Sequence, residues 1–434
     1  MKKAALHNLG CKVNSYETDA MQELLENAGY SIVPFSEEAD VYVINTCSVT
    51  AMADKKSRQM IHRAKQKNPD AIVVATGCYI QTSTEAALAD LSIDIILGNN
   101  KKGELINEIK KYETENQRVA DYIDINDGFV DYETLHISKT AEHTRAFIKV
   151  QDGCNQFCSY CLIPYARGRV RSRDIEDVIE EVKALADASY QEVVLTGIHL
   201  SSYGVKGEYE LIDLIERVAE VEGIKRIRLG SLEPQVVTEE FAERISKIDK
   251  MCPHFHLSLQ SGSDTVLKRM NRKYTASEYK EGCARLRKVF PHVAITTDVI
   301  VGFPGETDEE FNETVAFLKD INFYEMHIFK FSRRKGTRAY DMENQVAEEV
   351  KTARSNVLLK MADDMSLEFR EYYMNQEVDV LMEEPVEIDG EKYFVGFTKE
   401  YVKVAVKDCE DDLHNTIVTG KIIGKLKDDL LVLG

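Results

Sequence analysis

The segment from Gln151 to Arg173, QDGCNQFCSYCLIPYARGRVRSR, places three thiols at intervals that folding alone does not demand: Cys154, Cys158 and Cys161. Thiolates this close on one loop can converge on one centre, and gaps of three and two residues let successive sulfurs face inward. A structural zinc takes four ligands, but this loop holds no fourth Cys or His; the nearest in sequence are His143 and His199. A four-iron cubane held by three thiolates keeps one iron open for a non-protein ligand. An open iron is a place for chemistry. A zinc site completed by a distant residue and a set of unligated buried cysteines are the other readings of the same spacing.

Three more cysteines share an address. Cys11, Cys47 and Cys78 each follow a short apolar run ending in a small residue: AALHNLGC, VYVINTC and AIVVATGC. Helical patterns lie between them, roughly Glu17 to Ala28 and Ala51 to Lys67. The spacing is that of βαβ units. Parallel strands joined this way present their carboxyl ends on one edge, where ligands of open α/β sheets bind. Any one of these cysteines reads equally well as a small hydrophobe at a strand end, but three in register predict a second three-thiolate site and hence an auxiliary cluster. Cys252, Cys283 and Cys409 lack metal-like spacing and read as core or surface residues, and the ten His show no ligand pattern.

The C-x3-C-x2-C loop resembles the signature of the radical S-adenosylmethionine (SAM) superfamily. LGCKVNSYETD, INTCSVT, ATGCY and FIKVQDGCNQFCSYCLIPYARGRVRSR together look like its methylthiotransferase family, over nearly the whole chain. The resemblance implies two 4Fe-4S clusters: Cys154, Cys158 and Cys161 would hold the SAM-binding one, with Tyr160 against the adenine, and Cys11, Cys47 and Cys78 the auxiliary one. GCKVN, Gly10 to Asn14, is similar to the branch acting on N6-threonylcarbamoyladenosine in tRNA; the isopentenyladenosine branch usually reads GCQMN and the ribosomal-protein branch GCPKN. The implied activity is methylthiolation of C2 of N6-threonylcarbamoyladenosine at position 37 of tRNA, with two SAM per turnover, an electron donor and a sulfur donor. The alternatives are isopentenyladenosine or a ribosomal protein as substrate, or a two-cluster electron carrier or redox sensor that transfers nothing.

These groups need scaffolds. After the cysteine loop come six strand-then-helix units, RAFIKVQD, EVVLTGIHL, RIRLGSLEP, HFHLSLQSG, AITTDVIVGFPGE and MHIFKFSRR being the strands, which predict a partial (βα)6 barrel. Working groups sit at strand carboxyl ends in such barrels. That rule picks out Thr196, Gly197, Ser231, Glu233, Gln260, Ser261, Asp298, Gly302 and Gly305. By the resemblance, Thr196, Gly197, Glu233, Gln260 and Asp298 surround SAM; ordinary loop or capping chemistry is the other reading. Arg167, Arg169, Arg171 and Arg173 alternate, so an extended segment would put them on one face, suited to RNA phosphates. Arg333, Arg334 and Lys335, and Arg269, Arg272 and Lys273, would join that patch. A solvated face closing over the cluster loop accounts for the same pattern.

The 434 residues divide as an N-terminal open α/β parallel-sheet domain (1–115), a polar acidic linker with one short strand (116–140), the radical SAM core (141–370) and a small antiparallel β-barrel (371–434). A helical pattern from Val346 to about Tyr373 closes the core. The last segment reads as about five strands with turns at Asp389-Gly390 and near Gly420, and resembles the OB-like TRAM domain. Its acidic residues outnumber Lys by roughly two to one, so either Lys399, Lys403, Lys407, Lys421, Lys425 and Lys427 form one RNA-binding face or the domain supports the fold. A net charge of −19 requires clustered cations if RNA is bound. No apolar run reaches a membrane span, MKKAALHNLGC lacks the character of a signal peptide, and nine cysteines without a disulfide pattern suit a reducing compartment, so a cytoplasmic location is expected.

Overall fold

The computed structural model describes all residues except 128–129, 141–143, 205–206, 208, 408–411 and 428, so the readings of Cys409 and His143 lie outside the described residues. The first part of the chain builds a parallel sheet from β1 (Lys3–Asn8), β2 (Ser31–Ile32), β3 (Val41–Thr46), β4 (Ile72–Gly77), β5 (Ile95–Leu97) and β6 (Val119–Asp121). Their order is β2-β1-β3-β4-β5-β6. VYVINT of β3 and IVVATG of β4 are buried at every position, as strands covered on both faces must be. Helix α1 (Lys12–Asn27) starts five residues before the expected Glu17, because its first turns bury the polar Asn14, Ser15 and Glu17 and so carry no amphipathic signature. Helix α2 spans Ala51–Lys67, capped by the Thr50 hydroxyl, which accepts from the Ala53 amide. The segment read as linker contributes β6 to this sheet.

Six parallel strands form the central unit: β7 (Ala146–Asp152), β9 (Glu192–Gly197), β10 (Arg226–Leu229), β11 (His254–His256), β12 (Ala294–Val301) and β13 (Glu325–Lys330). A bridge between Ile227 and Met251 joins the two sheets they make, β10-β9-β7 and β11-β12-β13. The short β8 (Arg171–Ser172) adds antiparallel to the free edge of β7. Alternation along β7 sends Ile148 and Val150 into the core against the surrounding helices and leaves Lys149 and Gln151 on the opposite face. Helices outside the strands are firmly started; Thr307 and Glu310 form a reciprocal capping box at Asp308–Ile321.

The helix Glu348–Glu371 leads into a closed barrel of β14 (Glu377–Ile388), β15 (Glu391–Phe397), β16 (Lys403–Lys407), β17 (Ile417–Lys427) and β18 (Leu430–Leu433). Closure uses a parallel β16–β18 pair; the other pairs are antiparallel. Asp389 and Gly390 turn at φ +53° and +83°, the handedness that a tight hairpin requires. Gly420 lies within β17 and not in a turn: a Cβ there would come 2.8 Å from the Leu433 side chain, so close packing explains this glycine. This barrel seats on the central one. Arg226 donates to the carbonyls of Phe397 and Asp379, each at 2.8 Å, and Arg228 to that of Lys399 at 2.9 Å.

Candidate active site

The amino-terminal trio sits at the carboxyl ends of three adjacent strands. Cys11 is the N-cap of α1, Cys47 follows β3 directly, and Cys78 opens the short helix α3 (Cys78–Thr82) after β4. Register aligns the ends, Asn8 opposite Asn45 and Thr46 opposite Gly77. Two glycines make the approach possible. A Cβ on Gly10 (φ +112°) would come 2.9 Å from Cys47 Sγ, and one on Gly77 (φ +96°) 2.4 Å from the Thr46 carbonyl.

The second trio lies on the loop after β7, which leaves the strand through Gly153 (φ +73°), where a Cβ would collide with the Arg169 carbonyl at 1.9 Å. Cys154 donates its amide to Gly168 O at 3.0 Å, and the Cys161 amide donates to Cys158 O at 3.0 Å. The loop is tied to the rest of the barrel: the Ser159 amide donates to Met270 O at 2.9 Å and Asn271 Nδ2 to Phe157 O at 2.8 Å. Three polar hydrogens point at the sulfurs, from the Gln156 amide to Cys154, the Ile163 amide to Cys161, and Arg272 Nη1 to Cys158 at 3.2 Å.

The donor sets fit iron-sulfur cubanes. Among the described residues, the three-ligand grouping whose atoms all lie within 4.8 Å of one another is His256, Asp298 and His327; neither cysteine trio is so tight. A tetrahedral zinc with bonds of about 2.3 Å would hold its thiolates about 3.8 Å apart. Thiolates on separate corners of a cubane stand farther off. Burial pushes Cys47 up to about 11 and Cys154 and Cys161 to about 12, so these thiols carry protons that a metal must displace.

A buried ion network joins the trios. Arg167, fully buried six residues past Cys161, donates Nε to Cys78 Sγ at 3.4 Å across the domain boundary. Its guanidinium also grips Glu17 and Asn14 of α1, with Nη2 at 2.9 Å from Glu17 Oε2. Lys102 at 3.2 Å and Lys149 at 2.8 Å share the same Glu17 carboxylate, and Lys149 also pairs with Asp152 at 2.7 Å. Burial pushes Glu17 up, but Arg167, Lys102 and Lys149 outweigh it and hold the carboxyl well below the usual range. Arg173 forms a second joint, pairing with Glu181 while donating to the Tyr16 hydroxyl of α1 at 3.2 Å.

Of the strand-end residues, Glu233 is tied to the second trio. Glu233 accepts from Arg272 at 2.9 Å, from His199 at 3.0 Å and from Gln156 at 3.0 Å, linking it to the Cys158 sulfur. Gln260 takes a positive φ of 75° so that its amide donates to Asp298 O and its carbonyl accepts from the Ile300 amide. Thr196 is buried, and Gly197 leaves room for Gln151, whose Oε1 would be 2.8 Å from a Cβ. Tyr160 packs edge-on to Phe303 at 6.4 Å. Asp298 stands 3.5 Å from His256, with His327 stacked on that imidazole.

Comparison with known proteins agrees with this geometry. The radical SAM superfamily model matches residues 148–318, and that of an uncharacterized protein family, UPF0004, matches residues 3–98. The chain is 45% identical to the threonylcarbamoyladenosine tRNA methylthiotransferase MtaB of Bacillus subtilis (strain 168), over 98% of this chain and 94% of that protein. The chain belongs to the radical SAM tRNA methylthiotransferase family. The likeness to a second branch is lower, 34% to the tRNA-2-methylthio-N(6)-dimethylallyladenosine synthase of Clostridium novyi (strain NT), over 96% of this chain and 93% of that protein. Among solved structures, the radical SAM methyltransferase TsrM of Kitasatospora setae shares the fold, with a TM-score of 0.58 at 14% identity over 78% of this chain and 77% of that one.

In this methylthiotransferase the arginine run does not form one open face. Arg167, Arg171 and Arg173 are buried and ion-paired, because a short helix (Ile163–Arg167) and the turn at Gly168 replace the extended strand that alternation assumed. Arg334 is buried as well, pairing with Asp54 at 2.9 Å. Arg269 pairs with Glu310 at 2.6 Å. Arg169, Arg333, Lys335 and Lys273 remain exposed, Arg169 over the Phe157 ring and Arg333 over that of Tyr340. Residue spacing did not reveal the His256–Asp298–His327 group, since three separate strands bring it together. Among the described residues no helix is long and apolar enough to cross a membrane.

Proposed function

We propose that this protein methylthiolates C2 of N6-threonylcarbamoyladenosine at position 37 of tRNA, consuming two SAM per turnover. Cys154, Cys158 and Cys161 hold the SAM-binding cluster in this reading, and Cys11, Cys47 and Cys78 the auxiliary one. The observation that carries it is Arg167, which follows one trio and donates to a sulfur of the other, so that the two thiol trios adjoin one shared side chain. The 45% identity to a threonylcarbamoyladenosine enzyme supports the choice of nucleoside.

When bound, the clusters and SAM supply one-electron chemistry and a transferable methylthio group, which a C–H bond of adenine with no useful acidity requires. The chain's part is to hold and orient. Arg272 donates to Cys158 while Glu233 and Tyr274 keep its guanidinium in place, the Tyr274 hydroxyl accepting from Nε at 2.9 Å. Glu17, Lys149 and Asp152 fix Arg167 and with it the separation of the trios. Thr196, Gly197, Glu233, Gln260 and Asp298 line the SAM side, and Arg169, Arg333 and Lys335 offer exposed cations to the tRNA backbone.

The test is anaerobic reconstitution with iron, sulfide, a chemical reductant and SAM, followed by mass spectrometry of nucleosides from tRNA carrying either modification. Methylthio-threonylcarbamoyladenosine is expected. A product from dimethylallyladenosine instead would move the protein to the other branch, and 5′-deoxyadenosine without any methylthio nucleoside would refute the transfer.

A further inference from the structure

Lys12 is a water-accessible ammonium group at the first position of α1. It follows Cys11 and opens α1, and both side chains are reached by water although every residue from Val13 to Glu17 behind them is buried. The charges acting on Lys12 are those of Arg145, Arg228 and Glu192, and Lys12 in turn acts on His254. Those groups come from the start of β7 and from β10, β9 and β11, and α1 packs beside β7 and β9, so the Lys12 ammonium lies on the side of its domain that faces the central barrel.

The other cations there are matched. Arg228 forks onto Glu192 at 2.7 and 3.4 Å, with Arg226 at 3.8 Å from the same carboxylate, and Arg145 pairs with Glu383 at 2.6 Å. Farther up, Asp298 is matched by His256. Among the described residues Lys12 has neither a hydrogen bond nor an ion pair of its own. Four cations here, Lys12, Arg145, Arg226 and Arg228, face two carboxylates, Glu192 and Glu383. The imbalance suits an anion that arrives from outside.

We propose that Lys12 selects the substrate, pairing with the carboxylate at the end of the N6 side chain of the target adenosine. The proposal rests on the reading of Cys11 as an auxiliary-cluster ligand and of threonylcarbamoyladenosine as substrate, and adds the residue that recognises it. C2 and N6 belong to the same six-membered ring. Whatever holds C2 beside the Cys11 site therefore holds the N6 substituent within a side chain's reach of Lys12. A threonylcarbamoyl group ends in a carboxylate, which a flexible lysine suits as a mobile point charge. A dimethylallyl group has no charge and would enclose the ammonium against hydrocarbon, so the same residue favours one substrate and disfavours the other.

The experiment measures affinity of the reconstituted protein for two synthetic anticodon stem-loops, one carrying threonylcarbamoyladenosine and one in which its carboxylate is the carboxamide. The wild type should prefer the carboxylate by about ten-fold or more, the lower end of what a charge-assisted hydrogen bond contributes. K12Q should bind both stem-loops alike, at the level of the wild type with the carboxamide, whereas K12R, which keeps the charge, should retain the preference. Equal wild-type affinities, or a preference that persists in K12Q, overturn the proposal even if threonylcarbamoyladenosine is methylthiolated. The wild-type comparison decides alone should K12Q fail to load iron. Methylthiolation of dimethylallyladenosine and not threonylcarbamoyladenosine by the wild type overturns both readings.

Discussion

Replacing Glu17 by Gln would leave Lys102, Lys149 and Arg167 without the carboxylate that they share. All four side chains are at most 1% exposed, and the separations are 3.2 Å to Lys102, 2.8 Å to Lys149 and 2.9 Å to Arg167 Nη2. Breaking a buried ion pair from one side costs about 3–5 kcal/mol, because the remaining charge has lost its compensation. Asp152 still answers Lys149, so the lower end applies, about 3 kcal/mol. That loss falls on docking. Glu17 and Lys102 belong to the amino-terminal sheet domain, Lys149 and Arg167 to the barrel. At about 1.4 kcal/mol per decade, the docked population falls roughly a hundred-fold relative to undocked forms. Urea unfolding followed by circular dichroism would read the loss of stability, and limited proteolysis between Asp121 and Arg145 would read the loss of docking. The pH dependence has a definite sign. A carboxyl held below its unfolded value contributes stability that is present above about pH 4.5 and is lost only as pH falls through the folded value. The difference between wild type and E17Q should thus stay flat from neutral pH to about pH 5 and shrink in stronger acid. Equal unfolding free energies at pH 7, with unchanged proteolysis, would refute the view of this network as the joint.

Other outcomes follow from the same geometry. C11A should keep SAM cleavage but lose methylthio transfer, with iron falling from about eight to about four per chain, whereas C158A should lose both activities; equal loss of 5′-deoxyadenosine in each would argue against divided roles. Removing the donor to Cys158 with R272Q should lower the reduction potential of the cluster at that trio, read by a redox titration followed by electron paramagnetic resonance, and an unchanged potential would discount the 3.2 Å contact. Reversing the charges of Arg169, Arg333 and Lys335 together should weaken tRNA binding and flatten its dependence on salt, measured by anisotropy at several salt concentrations; an unchanged slope would remove these residues from the interface.

The cysteine sites were legible because each rests on local grammar. Gly10-Cys11 and Gly77-Cys78 at strand ends, and Gly153-Cys154 after β7, announce a sharp turn and a thiol with no long-range information required. The arginines were misread for the opposite reason. Arg167 is buried by Glu17, 150 positions away, and Arg173 by Tyr16 and Glu181, so nothing beside them in the chain signals burial. The start of α1 was hidden by polar residues that bind across the boundary. Strands β2 and β5 were missed because two and three residues carry too little periodicity, and the His256, Asp298 and His327 grouping exists only once β11, β12 and β13 lie side by side.

Arg226 and Arg228 spend their outer hydrogens on main-chain oxygens of β14, of the end of β15 and of the turn after it in the terminal β-barrel, and Lys399 returns the contact by donating to Asp249 O at 2.8 Å. That barrel is bolted to the underside of its neighbour and is no arm on a hinge. The two barrels therefore present their surfaces at one fixed spacing, and any partner that touches both meets them as a single body.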